Sequence, residues 1–135
     1  MSTFFEEASG GMNATLLWTN PSPTNELGQG SYQLNDNFTN YDYLMIEYKP
    51  QRLEEKPIRQ MFIRLDEIDI YQNKLSGALG FVTSDNRRIT RAFYLEYSKT
   101  NSIYFFGSVY ESGTNSGSIV PFKIYGLKGN INGIN

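Results

Sequence analysis

Carboxylates, arginines and a surplus of aromatic rings are the side chains in this 135-residue sequence whose types and spacing could do chemistry. Asp66-Glu67-x-Asp69 gathers carboxylates on a short stretch, and a hard cation such as Ca²⁺ takes that kind of oxygen set. The run lacks the glycine and twelfth-position glutamate of an EF-hand loop, so a solvated turn is the expectation. Glycoside hydrolysis needs two carboxylates flanking the scissile bond. Asp42, Asp66, Glu96 and Glu111 are available for it, but they fall on separate expected strands or loops and no motif ties two of them together. Arg87, Arg88 and Arg91 could grip a phosphate or a teichoic-acid-like anion. Their plainer reading is a charged edge that discourages strand-to-strand aggregation.

What is missing narrows the chemistry further. The chain has no Cys and no His. That removes disulfides, a thiolate nucleophile, Cys-zinc sites and the commonest general base. The expectation is therefore a non-enzymatic protein with no catalytic residue, no metal and no cofactor. A formal net charge of -2 and a pI near 5.1 argue against a nucleic-acid partner. No apolar run reaches the roughly 18 residues of a membrane span, so no membrane partner is expected. The first residues lack a basic start and an apolar core, which speaks against a secretory signal and for synthesis in a cytoplasm. The N-x-[ST] triplets at Asn13 and Asn37 then read as accidents of composition.

The elements that must position these groups are strands. The dominant period is two: Ile89, Phe93, Leu95 and Tyr97 share one parity, and Arg88, Thr90, Tyr94 and Glu96 share the other. Residues 102–110 place Ile103, Phe105, Gly107 and Val109 on one face, with Tyr104, Phe106, Ser108 and Tyr110 on the other. Residues 119–127 set Phe122, Ile124 and Gly126 opposite Lys123 and Tyr125. Residues 42–48 align Leu44, Ile46 and Tyr48, and 14–18, 58–65 and 77–83 read as further strands. Ser84-Asp85-Asn86 and Lys99-Thr100-Asn101-Ser102 should close hairpins, because Asp and Asn hydrogen-bond their own backbone and tolerate left-handed geometry. Thr3 and Glu6 could cap a short helix over 4–8. Residues 19–31 and 113–117 read as loops, Pro50 and Pro57 bracket a charged excursion, and Pro121 should start a strand or lie at an edge. The whole predicts one all-β domain over 1–135, an antiparallel β-sandwich or barrel-like sandwich. Residues 1–13 form an N-terminal segment and 129–135 a tail.

The ten Tyr, nine Phe and one Trp are the most telling feature. Phe62, Phe81, Phe93, Phe105 and Phe122 are expected in the core, with Trp18 as an anchor at the sandwich edge. Tyr43, Tyr94, Tyr104, Phe106, Tyr110 and Tyr125 fall on the opposite parity. They could be covered by another subunit, where Tyr and Phe are enriched. They could stack sugar rings, or belong to the core of a second sheet.

Leu16-Leu17-Trp18-Thr19-Asn20-Pro21-Ser22-Pro23-Thr24, Tyr41-Asp42-Tyr43-Leu44-Met45-Ile46-Glu47-Tyr48 and Pro121-Phe122-Lys123-Ile124-Tyr125-Gly126-Leu127-Lys128 together span most of the chain. This pattern resembles small tail- or baseplate-region structural proteins of tailed bacteriophages of Gram-positive hosts. The fold analogy is to a domain of siphophage receptor-binding proteins. The resemblance implies a virion-associated β-sandwich that, like tail parts built around symmetry axes, self-associates as a homo-oligomer, with other phage tail proteins as further partners. The alternative, resting on the outward aromatics, is a carbohydrate-binding module for host cell-wall saccharide. The resemblance supplies no catalytic residues. The chain has neither the collagen-like repeat nor the heptad stalk of a complete receptor-binding protein.

Overall fold

The computed structural model describes residues 13–23, 27–50, 58–66, 73–83, 86–111 and 118–129. The expected helix over 4–8, the Glu67 and Asp69 part of the acidic run, the excursion 51–57 and the loop 113–117 lie outside them.

The described residues form eight strands in sequence: β1 (Asn13–Thr19), β2 (Gly30–Gln33), β3 (Tyr43–Pro50), β4 (Arg59–Arg64), β5 (Lys74–Val82), β6 (Arg88–Glu96), β7 (Ser102–Tyr110) and β8 (Ile119–Lys128). A 3₁₀ turn, Phe38–Asn40, precedes β3. The strands form two antiparallel four-stranded sheets, ordered β1-β8-β3-β4 and β2-β7-β6-β5. The expected β-sandwich is the architecture found. Leu44, Ile46 and Tyr48 of the first sheet meet Leu79, Ile89, Phe93, Leu95, Ile103 and Phe105 of the second, all buried. Each such side chain stabilises by about 1.5–3 kcal/mol through removal from water.

Local chemistry accounts for the strand ends. β5 and β6 form the expected hairpin, and Asn86 near its turn takes φ 65°, a left-handed conformation that Asn tolerates. Between β6 and β7 the carbonyls of Thr100 and Asn101 accept from the amides of Phe38 and Leu34. The buried Asn20 ends β1: its amide and its Nδ2 donate to the carbonyls of Phe122 and Pro121, both at 2.9 Å, and its side-chain oxygen takes the Ser22 amide. Trp18 is buried as expected, against Tyr32 and Phe105. Pro121 is the third residue of β8, an inner strand, rather than a strand start or an edge; it lies past the end of the β1 ladder, which stops at the Thr19–Lys123 pair.

Register shifts overturn several parity assignments. In β7, Phe106 and Gly107 lie opposite Ala92 alone, a β-bulge that reverses the facing of everything after it. Val109, assigned inward, is 63% exposed, and Tyr110, assigned outward, packs against the core. In β8 the extra residue is Phe122, because Lys123 pairs with Glu47 and Pro121 with Tyr48. Phe122 is consequently only half-buried, with the Lys49 ammonium 5.4 Å from its ring centre. Phe62 is exposed rather than core, since it pairs with Met45 on the outer side of the first sheet. The segment 19–31, read as loop, contains the start of β2. Gly30-Ser31-Tyr32-Gln33 has too little apolar content to signal a strand and pairs only along β7.

Candidate functional site

The six outward aromatics occupy three places. Tyr43 and Tyr125 flank the buried Met45 and Leu127 on the outer face of the β1-β8-β3-β4 sheet. Cross-strand partners share a face, so the pairings there give a row Leu16, Tyr125, Met45, Phe62. Burial raises the Tyr125 hydroxyl above its ordinary pKa, with the nearby Glu47 charge adding to the effect. Tyr110 belongs to the interior, as above.

Tyr94, Tyr104 and Phe106 come together on the outer face of the β2-β7-β6-β5 sheet. Tyr94 and Tyr104 pair directly between β6 and β7, and their rings stack at 5.0 Å with 17° between planes. Phe106 meets Tyr104 edge-on at 5.0 Å and Tyr94 at 5.7 Å. The Lys74 ammonium lies 4.5 Å from the Tyr94 ring centre, and Gln29 Nε2 donates to the Tyr104 hydroxyl at 2.9 Å. Around this ridge the pairings place Ser31, Ser76, Ala78, Gly80, Thr90 and Ala92, small side chains that leave the sheet surface low. Val82 and Val109 stand 57% and 63% exposed, and Phe106 40%. Charge sits toward the ends of the face, Lys74 with Glu96 at one and Arg88 with Glu111 at the other. The small-residue alternation Ser76-x-Ala78-x-Gly80-x-Val82 was the sequence signal for this face. The valines were missed because the bulge hides Val109 and because Phe81 was the only residue of the 77–83 strand given a side.

The arginines do not form a charged edge. β6 lies between β7 and β5, and Arg91 is 1% exposed on the core side. The parity of Ile89, Phe93 and Leu95 dictates that placement. Its guanidinium donates from Nε to the Phe106 carbonyl at 2.6 Å, from Nη1 to Ile119 at 3.0 Å, and from Nη2 to Leu27 at 2.6 Å. The group binds the bulge of β7, the first residue of β8 and the segment before β2 into one knot. The Ser108 hydroxyl oxygen, inward beside it, accepts the Ile119 amide. Arg88 is a surface residue clasped by Glu111, Nε to Oε1 at 3.2 Å and Nη2 to Oε2 at 3.3 Å. That contact lowers the Glu111 pKa and raises the Arg88 one.

Three of the four carboxylates, Asp42, Asp66 and Glu111, are engaged in structural contacts. Asp42 and Asp66 line one shallow concavity with Tyr43 and Arg64, but Asp42 accepts the Gly129 amide at 2.9 Å and Asp66 pairs with Arg64 at 2.9 Å. Glu96 lies beside the aromatic ridge and Glu111 holds Arg88. The structure therefore gathers two of the four carboxylates and leaves the other two toward opposite ends of the outer face of the β2-β7-β6-β5 sheet.

Comparison with protein-family models and with curated proteins returns no match.

Proposed function

We propose that this chain is a non-enzymatic structural protein of a tailed-phage particle, in the tail or baseplate region, and that it associates with copies of itself through the outer face of the β2-β7-β6-β5 sheet. The observation that carries self-association is the exposure of Phe106, Val82 and Val109 on one low surface beside the Tyr94–Tyr104 stack. Interface cores are rich in aromatics and poor in charge, with charge at the rim, and this face has that distribution. Its small side chains let a second backbone approach closely. Closed symmetric assembly would remove the apolar area from water, and that removal is the driving force. Placement in a phage particle rests on the resemblance of the three sequence stretches given above.

Light scattering coupled to size exclusion at micromolar concentration tests the association. The expected species is a multiple of 15.4 kDa that Phe106→Glu returns to monomer. A strictly monomeric parent protein overturns it. Immunogold labelling of purified virions tests the location: label at the tail is expected, and unlabelled particles overturn it.

One observation favours a second reading. The near-parallel Tyr94–Tyr104 stack, with Gln29 and Glu96 beside it, combines aromatic surface with polar groups as sugar-binding sites do, so host cell-wall saccharide would be the ligand. Tyrosine and tryptophan fluorescence unchanged by cell-wall polysaccharide removes that reading.

A further inference from the structure

The two edge strands β4 and β5, one from each sheet, contribute to the wall of a cavity of about 320 Å³ that also takes Arg88 and Ile89 of β6. We infer that this cavity binds an oxyanion carried on an apolar body, an organic phosphate or carboxylate. Guanidinium-bearing residues of both sheets line it, Arg59 of β4 and Arg88 of β6. Arg59 pairs with Tyr48 across β3 and β4, so the two side chains share the face turned toward the other sheet. Tyr48 crosses to donate to the Gly80 carbonyl at 2.9 Å, and the Arg59 guanidinium lies 4.9 Å from the Phe81 ring centre. Stacking on a ring covers one flat side of a guanidinium and leaves its N–H edge for a ligand. Among the described residues, no carboxylate pairs with that edge.

Arg88 supplies the second cation in a fixed pose. Glu111 clasps it through Nε and Nη2, leaving Nη1 outside the clasp, and also accepts its backbone amide at 2.8 Å. Glu111 offsets the charge of Arg88, so Arg59 gives the cavity a net single positive charge. Val82 is the exposed apolar residue of its lining, with Phe81 and Ile89 buried behind it at 5% and 1% exposure. Gly80 opens the floor, since a Cβ added there would meet nothing within 4 Å. An inward-pointing cation on an edge strand can also serve only to prevent edge-to-edge pairing. That role produces no saturable ligand binding, and this separates the two.

The test is an amide ¹H–¹⁵N NMR titration of the full chain with phenyl phosphate, benzoate, inorganic phosphate and sodium chloride. Saturable shifts confined to Gly80–Val82 and Arg88–Thr90 are expected with phenyl phosphate or benzoate. The stronger of the two identifies the head group. Inorganic phosphate should bind about tenfold more weakly, for want of the apolar contact. Arg59→Gln should weaken binding by about tenfold or more. Gly80→Leu, which fills the cavity and keeps both arginines, should abolish it and carries the test should Arg59→Gln fail to fold. Shifts that never saturate, that sodium chloride reproduces, or that persist in Gly80→Leu overturn the site.

Discussion

Arg91 and Phe106 hold opposite sides of one bulge: the Arg91 guanidinium takes the Phe106 carbonyl at 2.6 Å from within the sandwich, while the Phe106 ring stands outside it, 40% exposed. An extra residue in β7 interrupts the ladder and leaves backbone groups needing partners. The arginine supplies one, and the same interruption turns Val109 outward to join the aromatic face. The interior cation and the exterior contact surface thus depend on a single irregularity.

Replacing Arg91 by Met should lower stability by about 3 kcal/mol or more, because the carbonyls of Phe106, Ile119 and Leu27 lose their donor inside the protein. Lys should not restore it, as one ammonium cannot reach three divergent carbonyls the way a planar fork does. Urea denaturation of the parent, Met and Lys forms measures this. A Lys form as stable as the parent contradicts the account.

Glycines at superficially similar strand positions should respond in opposite directions. A Cβ at Gly126 would lie 2.6 Å from the Tyr41 ring, and one at Gly77 would lie 2.8 Å from Phe93. Ala at either should cost about 1–3 kcal/mol through overpacking. Ala at Gly80, where the space is open, should be neutral or stabilise by about 0.5–1 kcal/mol, since glycine weakens a strand interior. Thermal melts of the three variants give the order directly.

Val109→Glu should leave stability within about 0.5 kcal/mol of the parent, as expected for a surface change, while abolishing self-association. Sedimentation velocity together with a thermal melt reads both. Loss of fold together with loss of association would place Val109 in the core and contradict the bulge.

Stability should fall at both ends of the pH range. Asp36 is held below its ordinary pKa chiefly by the Tyr41 hydroxyl, and Glu111 chiefly by the Arg88 side chain. A depressed carboxyl contributes stability that is present above its unfolded pKa, about 4, and lost as pH falls through the folded value. Tyr41 and Tyr97 are raised, chiefly by burial. Their contribution is complete below the unfolded tyrosine value, about 10, and is lost as pH rises through the folded one. Chemical denaturation at stepped pH should therefore show a plateau between these limits. Glu111→Gln should flatten part of the acid limb, and Tyr97→Phe part of the alkaline one.

How much of this was legible in the sequence depends on whether alternation ran unbroken. β6 was read correctly because no bulge interrupts Ile89 to Leu95, and the same alternation already put Arg91 on the inner parity. Composition drew it to the surface instead, since a lone arginine reads as a surface charge. β7 was read correctly as far as Phe105. Beyond it, nothing in Phe106-Gly107-Ser108 marks an extra residue, so Val109 and Tyr110 were exchanged. Phe62 was lost for another reason. Met61, Phe62 and Ile63 are all apolar, so the run carries no period and its inward member cannot be chosen. The aromatic ridge was visible as a set of residues but not as a place. Tyr43 and Tyr125 look equivalent to Tyr94 and Tyr104 until strand order assigns them to different sheets.

β8, the last of the described strands, is an inner strand of its sheet, hydrogen-bonded between β1 and β3. During synthesis, therefore, β1 and β3 must each wait with one ladder unfilled until residues 119–128 leave the ribosome. From strands already made, the β3–β4 hairpin and the whole β2-β7-β6-β5 sheet can form before then. Completion of the sandwich is a late, long-range closure, the kind of step that slows folding and exposes unpaired strands to other chains. A ribosome-stalled chain that stops before Ile119 is accordingly the form of this protein most prone to aggregate.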